Sequence, residues 1–178
     1  KKASQLEGSK AFMKKLCKDF NIPTAKYENF DDFLKAEEFI KKSKHPIVIK
    51  SDGLAAGKGV VISSNEKESV QFTKEILDGK FKNSNKVVIE EFLEGEEASY
   101  FVITDGQNYL PLGTAQDHKR IGENDTGLNT GGMGAYSPSL LVTDALQEKI
   151  NKKIIEPTIK GLNAIGCSFV GILYAGLM

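Results

Sequence analysis

Residues 46–62 read PIVIKSDGLAAGKGVVI, two short apolar runs around a glycine-rich loop. Residues 46–49 and 60–62 have the β-branched character of strands. Between them lie Gly53, Gly57 and Gly59, with Lys50 on the approach and Lys58 inside the loop. Glycines let backbone amides turn toward one point and let an anion come close. Lysines add the point charge that phosphate favours. The spacing excludes the commoner phosphate motifs. A Walker A loop needs four residues between its first glycine and Gly-Lys, then Ser or Thr, then a helix. Here Leu54, Ala55 and Ala56 intervene, Gly59 follows Lys58, and a strand comes next. Nor is this the Gly-x-Gly-x-x-Gly of a dinucleotide fold. Strand, glycine loop and strand make a flap over phosphates, which needs a partner surface elsewhere in the chain. Taken alone, the same loop is equally an ordinary mobile hairpin.

Composition narrows the class. With 178 residues, 40% hydrophobic and 27% charged, the chain can bury the core of one ordinary domain or two small ones. Lys plus Arg and Asp plus Glu are both 24. That balance argues against non-specific binding to nucleic acid or a membrane surface. The two cysteines, Cys17 and Cys167, have no metal or redox spacing, as befits reduced thiols in a cytoplasm. No stretch reaches the roughly 20 apolar residues of a membrane span, and the first residues lack the apolar run of a signal peptide. The strand-like run 169–178 reaches the last residue, from which we expect a piece of a larger protein.

Along the chain, residues 9–20 predict a helix capped by Ser9 and ended by Asn21-Ile22-Pro23. A second helix, 30–43, carries Asp31 and Asp32 at its start and Lys41, Lys42 and Lys44 at its end, as the helix dipole prefers. After the glycine loop come a helix at 65–77 closed by Gly79 and a strand at 86–92. Strands at 98–104 and 108–115 follow, joined by the hairpin signal Asp105-Gly106. Residues 116–138 show no periodicity, and an irregular segment of about 23 residues points to function or disorder. A long helix at 143–165, capped by Thr143 and kinked or broken at Pro157, leads through Gly166 to a strand at 168–178. The alternation predicts α+β layers.

Three clusters carry chemistry. Glu90, Glu91, Glu96 and Glu97 crowd a strand-to-strand turn around Phe92 and Leu93. They are suited to accept from an adenine amine or ribose hydroxyls, and equally form a solvated acidic turn. Lys10 stands at a helix start, where it opposes the dipole unless lysine and helix face one phosphate. Asp117, His118, Lys119 and Arg120 open the aperiodic segment and suit an anionic substrate. Thr126-Gly127 and Thr130 to Gly134 follow, with amides that could wrap the anion.

In this order and spacing Lys10, VIKSDGLAAGKGVVI, VIEEFLEGEEAS, QDHKR and DTGLNTGGMGAYSP closely resemble the glycinamide ribonucleotide synthetases. These are the phosphoribosylamine–glycine ligases of purine biosynthesis, within the ATP-grasp superfamily. The likeness covers essentially the whole chain. It departs at Ser51, where Ala is usual, and at Leu128, where Pro is usual. The resemblance implies an ATP-grasp fold: residues 27–91 as the small lid, 1–26 and 92–178 as parts of the central domain, and ATP between them. It implies that Lys10 and Lys50 contact the phosphates, that Gly53, Gly57, Lys58 and Gly59 form the flap, and that Glu90, Phe92 and Leu93 read adenine while Glu97 takes the ribose. Asp117, Lys119 and Arg120 take catalytic parts. His118, Asp125, Asn129, Thr130, Gly131, Gly132, Met133 and Gly134 face glycine and 5-phosphoribosylamine.

The implied reaction consumes ATP and passes through a glycyl phosphate in a cytoplasmic, monomeric enzyme with no nucleic-acid or membrane partner. Magnesium or manganese would be held by a Glu and an Asn beyond Met178. No metal ligand is assigned within the chain, and the 178 residues alone are expected not to turn over. A stand-alone ATP-binding module, or an ATP-grasp ligase for another acid, are the alternatives.

Overall fold

The computed structural model describes residues 2–55, 58–81, 85–123 and 126–178, without the side chains of Leu128 and Asn129. Gly57 and Asp125 lie outside the described residues. Its contacts divide the chain into two compact units, residues 1–18 with 24–93, and residues 19–23 with 94–178.

The first unit opens with a short helix, α1 (Gln5–Gly8), and then α2 (Lys10–Asp19). Ser9 caps α2 as expected, its Oγ accepting from Phe12 N at 3.1 Å. The strand β1 (Tyr27–Phe30) follows, where the sequence pattern had shown none, and α3 (Phe33–Lys42) begins three residues later than expected. Asp32 caps α3, accepting from Lys35 N. Then come β2 (Ile47–Ser51), β3 (Val60–Ser63), α4 (Glu66–Leu77) and β4 (Val87–Glu91). Asn65 caps α4 through Glu68 N, and its end turns at Gly79 with φ +90°. The strands form one antiparallel sheet in the order β1-β4-β2-β3. Alternation along each strand gives the sheet two faces. Ile47, Ile49, Val87 and Ile89 pack against Ala36 and Ile40 of α3 and Ile76 of α4. The other face carries Val48, Lys50, Val88 and Glu90.

The second unit is built on β5 (Ala98–Thr104) and β6 (Tyr109–Asp117), the expected hairpin. Gly106 sits at φ +95°, a conformation open to glycine and costly to other residues. Asp105 closes the turn, its Oδ1 accepting from Gln107 N and Asn108 N. The aperiodic stretch contains three short strands, β7 (Arg120–Gly122), β8 (Thr126–Asn129) and β9 (Ala135–Tyr136). They are held by backbone pairing, which leaves no trace in hydrophobic periodicity. Next come α5 (Asp144–Ile150), a π-helical turn (Asn151–Ile155), α6 (Glu156–Ala164) and β10 (Gly171–Leu177). Thr143 caps α5. Pro157 has no N–H to donate, and the expected break takes the form of the π-turn just before it.

The sheet order is β10-β5-β6-β9. Tyr100 and Val102 on one face meet Ile150, Ile155 and Ile159 of the helical segment. Ile103, Leu110, Ile172 and Tyr174 are exposed.

Candidate functional site

In the first unit, β2 and β4 run antiparallel with Val48 opposite Glu90 and Lys50 opposite Val88. Lys50 and Glu90 are therefore diagonal neighbours on the face away from α3 and α4, within reach of long side chains. Lys50 Nζ donates to Glu90 Oε2 at 3.0 Å. A second lysine, Lys14 of α2, reaches the same oxygen, also at 3.0 Å. Lys14 is 2% exposed, Glu90 5% and Lys50 26%, so two of these three charges are out of water and one is at its edge. Lys14 has its other protons on Thr24 Oγ1 at 2.8 Å and Ala25 O at 3.2 Å, and it lies over the Tyr27 ring. Burial pulls its pKa below the ordinary lysine value, against the opposing charge and hydrogen bond of Glu90. Glu90 Oε1 is also buried, and among the described residues it has no hydrogen-bond partner. Buried acceptors are rarely left so. A carboxylate with one oxygen clamped by two ammoniums and the other vacant is shaped to receive a donor from a ligand.

The start of the glycine loop is tied to the start of α2. Asp52 accepts from Ala11 N at 2.7 Å and from Ser9 Oγ at 3.1 Å. Lys10 turns its ammonium to the carbonyls of Gly53 at 3.0 Å and Asp52 at 3.4 Å. Burial lowers the Lys10 pKa, offset in part by Asp52. The helix start is thus satisfied by a carboxylate of the loop, and Lys10 donates to loop carbonyls. Gly59 returns the loop beside β2, with its carbonyl accepting from Ser51 N at 2.7 Å. A Cβ at Gly59 would lie 2.6 Å from Ala55 Cβ and 3.1 Å from Ser51 Cβ, so only glycine fits this approach. Lys58 is exposed, Gly53 buried, Phe92 half-buried and Leu93 exposed.

In the second unit Lys119 Nζ donates to Glu97 Oε2 at 2.5 Å and stands 3.9 Å from Asp117 Oδ2. Burial acts to lower the Lys119 pKa, but the hydrogen bond and charge of Glu97, with the charge of Asp117, outweigh it and hold the group above the ordinary lysine value. Such a lysine supplies charge and is poorly suited to take up a proton. With Ser99, Tyr174 and Gly176, these three residues line a cleft of about 220 Å³.

The rest of the predicted substrate segment folds back on itself. Thr130 N and Oγ1 both donate to Lys119 O, Gly132 N to Thr130 Oγ1, Met133 N to His118 O and His118 N to Gly134 O. The Thr130, Gly132 and Met133 amides thus serve the loop's own shape. Arg120 Nη1 donates to Gly127 O, and His118 stacks near Tyr136 with ring centroids 5.8 Å apart. Gly131, Gly132 and Gly134 have open space where a Cβ would stand. Two residues of the first unit, Lys14 and Asp52, escaped the sequence reading. The one available signal for Lys14 was its place four residues after Lys10 and three before Cys17, on the stripe that α2 buries.

A family model described as phosphoribosylglycinamide synthetase, ATP-grasp (A) domain, matches residues 8–178. The chloroplastic phosphoribosylamine–glycine ligase of Arabidopsis thaliana is 55% identical over 178 residues, covering 99% of this chain and 34% of that protein. The phosphoribosylamine–glycine ligase of Brucella melitensis is 52% identical over 177 residues, covering 99% of this chain and 42% of that protein. The crystal structure of phosphoribosylamine–glycine ligase from Thermotoga maritima matches with a TM-score of 0.90 and 36% identity, over 99% of this chain and 45% of that one. The chain thus spans less than half the length of these relatives.

Proposed function

The chain belongs to the phosphoribosylglycinamide synthetase family as its ATP-grasp (A) domain, and from that premise we propose that it serves an ATP-driven ligase joining glycine to 5-phosphoribosylamine. The fold is ATP-grasp, of α+β class. In the proposed reaction the glycine carboxylate attacks the γ-phosphorus and ADP leaves, giving glycyl phosphate. The ribosylamine nitrogen then attacks the acyl carbon, phosphate departs, and the nitrogen loses a proton. Positioning and charge neutralisation are what phosphoryl transfer asks of a protein. Lys50 and Lys10 would meet the phosphates, Lys50 leaving Glu90 and Lys10 leaving the carbonyls of Asp52 and Gly53. The glycine loop would exclude the water that hydrolyses an acyl phosphate. Glu90 Oε1 would accept from the adenine amine and Glu97 from the ribose. Lys119, held cationic, would carry positive charge toward the anionic substrates.

Magnesium or manganese would neutralise the triphosphate. Among the described residues no group of three or more His, Cys, Asp or Glu stands together as ligands for it, and no step is assigned to the ion. No helix among the described residues is long and apolar enough to cross a membrane. A cytoplasmic, monomeric enzyme is part of the same proposal, supported by two buried free thiols and balanced charge.

The observation that carries the reading is the buried, half-satisfied Glu90 beside Lys50 and the glycine loop. Calorimetry of ATP with wild type and Lys50→Ala tests it. Loss of one charge-assisted phosphate contact, about 1.5–3 kcal/mol, should weaken binding by about 10- to 100-fold. Unchanged affinity in a folded Lys50→Ala removes Lys50 from the site and the reading with it.

A further inference from the structure

Glu90 has two lysines on one oxygen, and they are not equivalent. Lys50 is a quarter exposed and lies on β2, next to the glycine loop. Lys14 is enclosed, and its ammonium spends three protons on three fixed acceptors: Glu90 Oε2, Thr24 Oγ1 and Ala25 O. An ammonium has three donors and no more, so Lys14 has nothing left for a ligand. Lys50, held among the described residues by Glu90 alone and open to water, can leave.

We propose that Lys14 is a positioning residue for nucleotide selection: it keeps the Glu90 carboxylate anchored through Oε2, with Oε1 left as an acceptor, when Lys50 departs for the phosphates. Without Lys14, release of Lys50 would strand a carboxylate that is 5% exposed with no counter-charge. A buried carboxylate left so turns toward whatever partner it can reach, and Oε1 ceases to be a fixed acceptor. With Lys14 in place the charge balance at Glu90 survives the exchange, and the acceptor that distinguishes a 6-amino from a 6-oxo purine is present from the start. The same arrangement makes the exchange cheap, because Glu90 Oε2 loses only one of its two ammoniums. This inference rests on the assignment of Glu90 to the adenine amine and adds the residue that makes the assignment work.

The test compares the dissociation constants of ATP and ITP, whose base presents a carbonyl where adenine presents its amine. Wild type should prefer ATP. Glu90→Gln is the control for the underlying assignment. The lysines will claim the amide oxygen, which leaves –NH₂ where Oε1 stood, a donor facing a donor for ATP and a donor facing an acceptor for ITP. Its preference should vanish or reverse. Lys14→Met should lose about tenfold or more of the ATP-over-ITP ratio, whereas Lys14→Arg should retain it.

A merely structural lysine would weaken both nucleotides alike and leave the ratio unchanged. A folded Lys14→Met with an unchanged ratio overturns the proposal. If Lys14→Met does not fold, Thr24→Val decides. It removes one of the three anchors of Lys14 and keeps every charge, so the ratio should fall several-fold, and no change refutes the inference. Should neither wild type nor Glu90→Gln discriminate between the nucleotides, the adenine assignment itself is wrong, a result distinct from failure at Lys14 alone.

Discussion

Replacing Glu90 by leucine should unbalance the first unit more than any other single change in its polar face. Two ammoniums now lie 3.0 Å from one carboxylate oxygen. At an effective dielectric of about 20, each contact is worth roughly 5 kcal/mol of gross attraction, most of it offset by the desolvation of the ions. The net value of the cluster is therefore small, but the cost of breaking it is not. In Glu90→Leu, Lys50 can turn toward water, but Lys14 cannot. A buried charge stripped of its partner costs about 3–5 kcal/mol.

Lys14→Met leaves Glu90 with Lys50 and should cost less, about 1–3 kcal/mol, through the orphaned acceptors Thr24 Oγ1 and Ala25 O. The double variant carries neither buried charge, so its cost should fall below the sum of the single costs by about 2 kcal/mol or more. The unsatisfied Thr24 and Ala25 acceptors occur in both methionine variants and cancel from the cycle. Native-state hydrogen exchange at the amides of β2 and β4 reads this unit without the other. If the two changes add to within about 0.5 kcal/mol, or if Glu90→Leu costs under about 1 kcal/mol, the three groups are not a coupled buried set.

Two further outcomes follow from the loops. Asp52→Ala removes the acceptor of Ala11 N and Ser9 Oγ, so the first turn of α2 should fray at a cost of about 1–2 kcal/mol; unchanged exchange at Ala11 and Phe12 would contradict the capping role. The Asp105 carboxyl, held by the side chain of Asn108 and by the amides of Gln107 and Asn108, is lowered from 3.8 to about 2. A depressed folded pKa makes the turn's stabilisation complete above the unfolded value and lost as pH falls through about 2. A titration of the Asp105 carboxyl carbon by NMR should show that midpoint, and one at the ordinary value would refute the turn geometry.

Much of this was legible because local signals and tertiary structure agree. Ser9 and Thr143 cap their helices as expected, since a short side chain can satisfy an orphan amide whatever surrounds it; Asp32 and Asn65 do the same where the sequence pattern had placed them inside the helices. Asp105-Gly106 turns because glycine accepts the positive φ the hairpin requires. The strand β1 was missed: YENF is four residues long, and its partner β4 lies some sixty residues away, so pairing rather than pattern makes it a strand. The loop strands β7, β8 and β9 were hidden for the same reason. Lys14 was the harder loss. A lysine on a helix is normally solvated, and nothing local says that Glu90 waits for it across the fold. Glu90 was legible through its glutamate-rich surroundings and the family resemblance, and its vacant oxygen only through burial.

The π-turn at Asn151–Ile155 bears on how this segment tolerates changes of length. Ile150 and Ile155 both enter the core, yet they are five residues apart, about 140° beyond a full turn of α-helix. Glu156 N reaches Asn151 O, five residues back, and that wider ring brings Ile155 onto the side already taken by Ile150. Ile159 and Leu162 then continue in ordinary α spacing. The segment therefore holds one residue more than a regular helix over the same span. One residue can be lost there without re-phasing the buried isoleucines, a form of slack that neither flanking helix possesses.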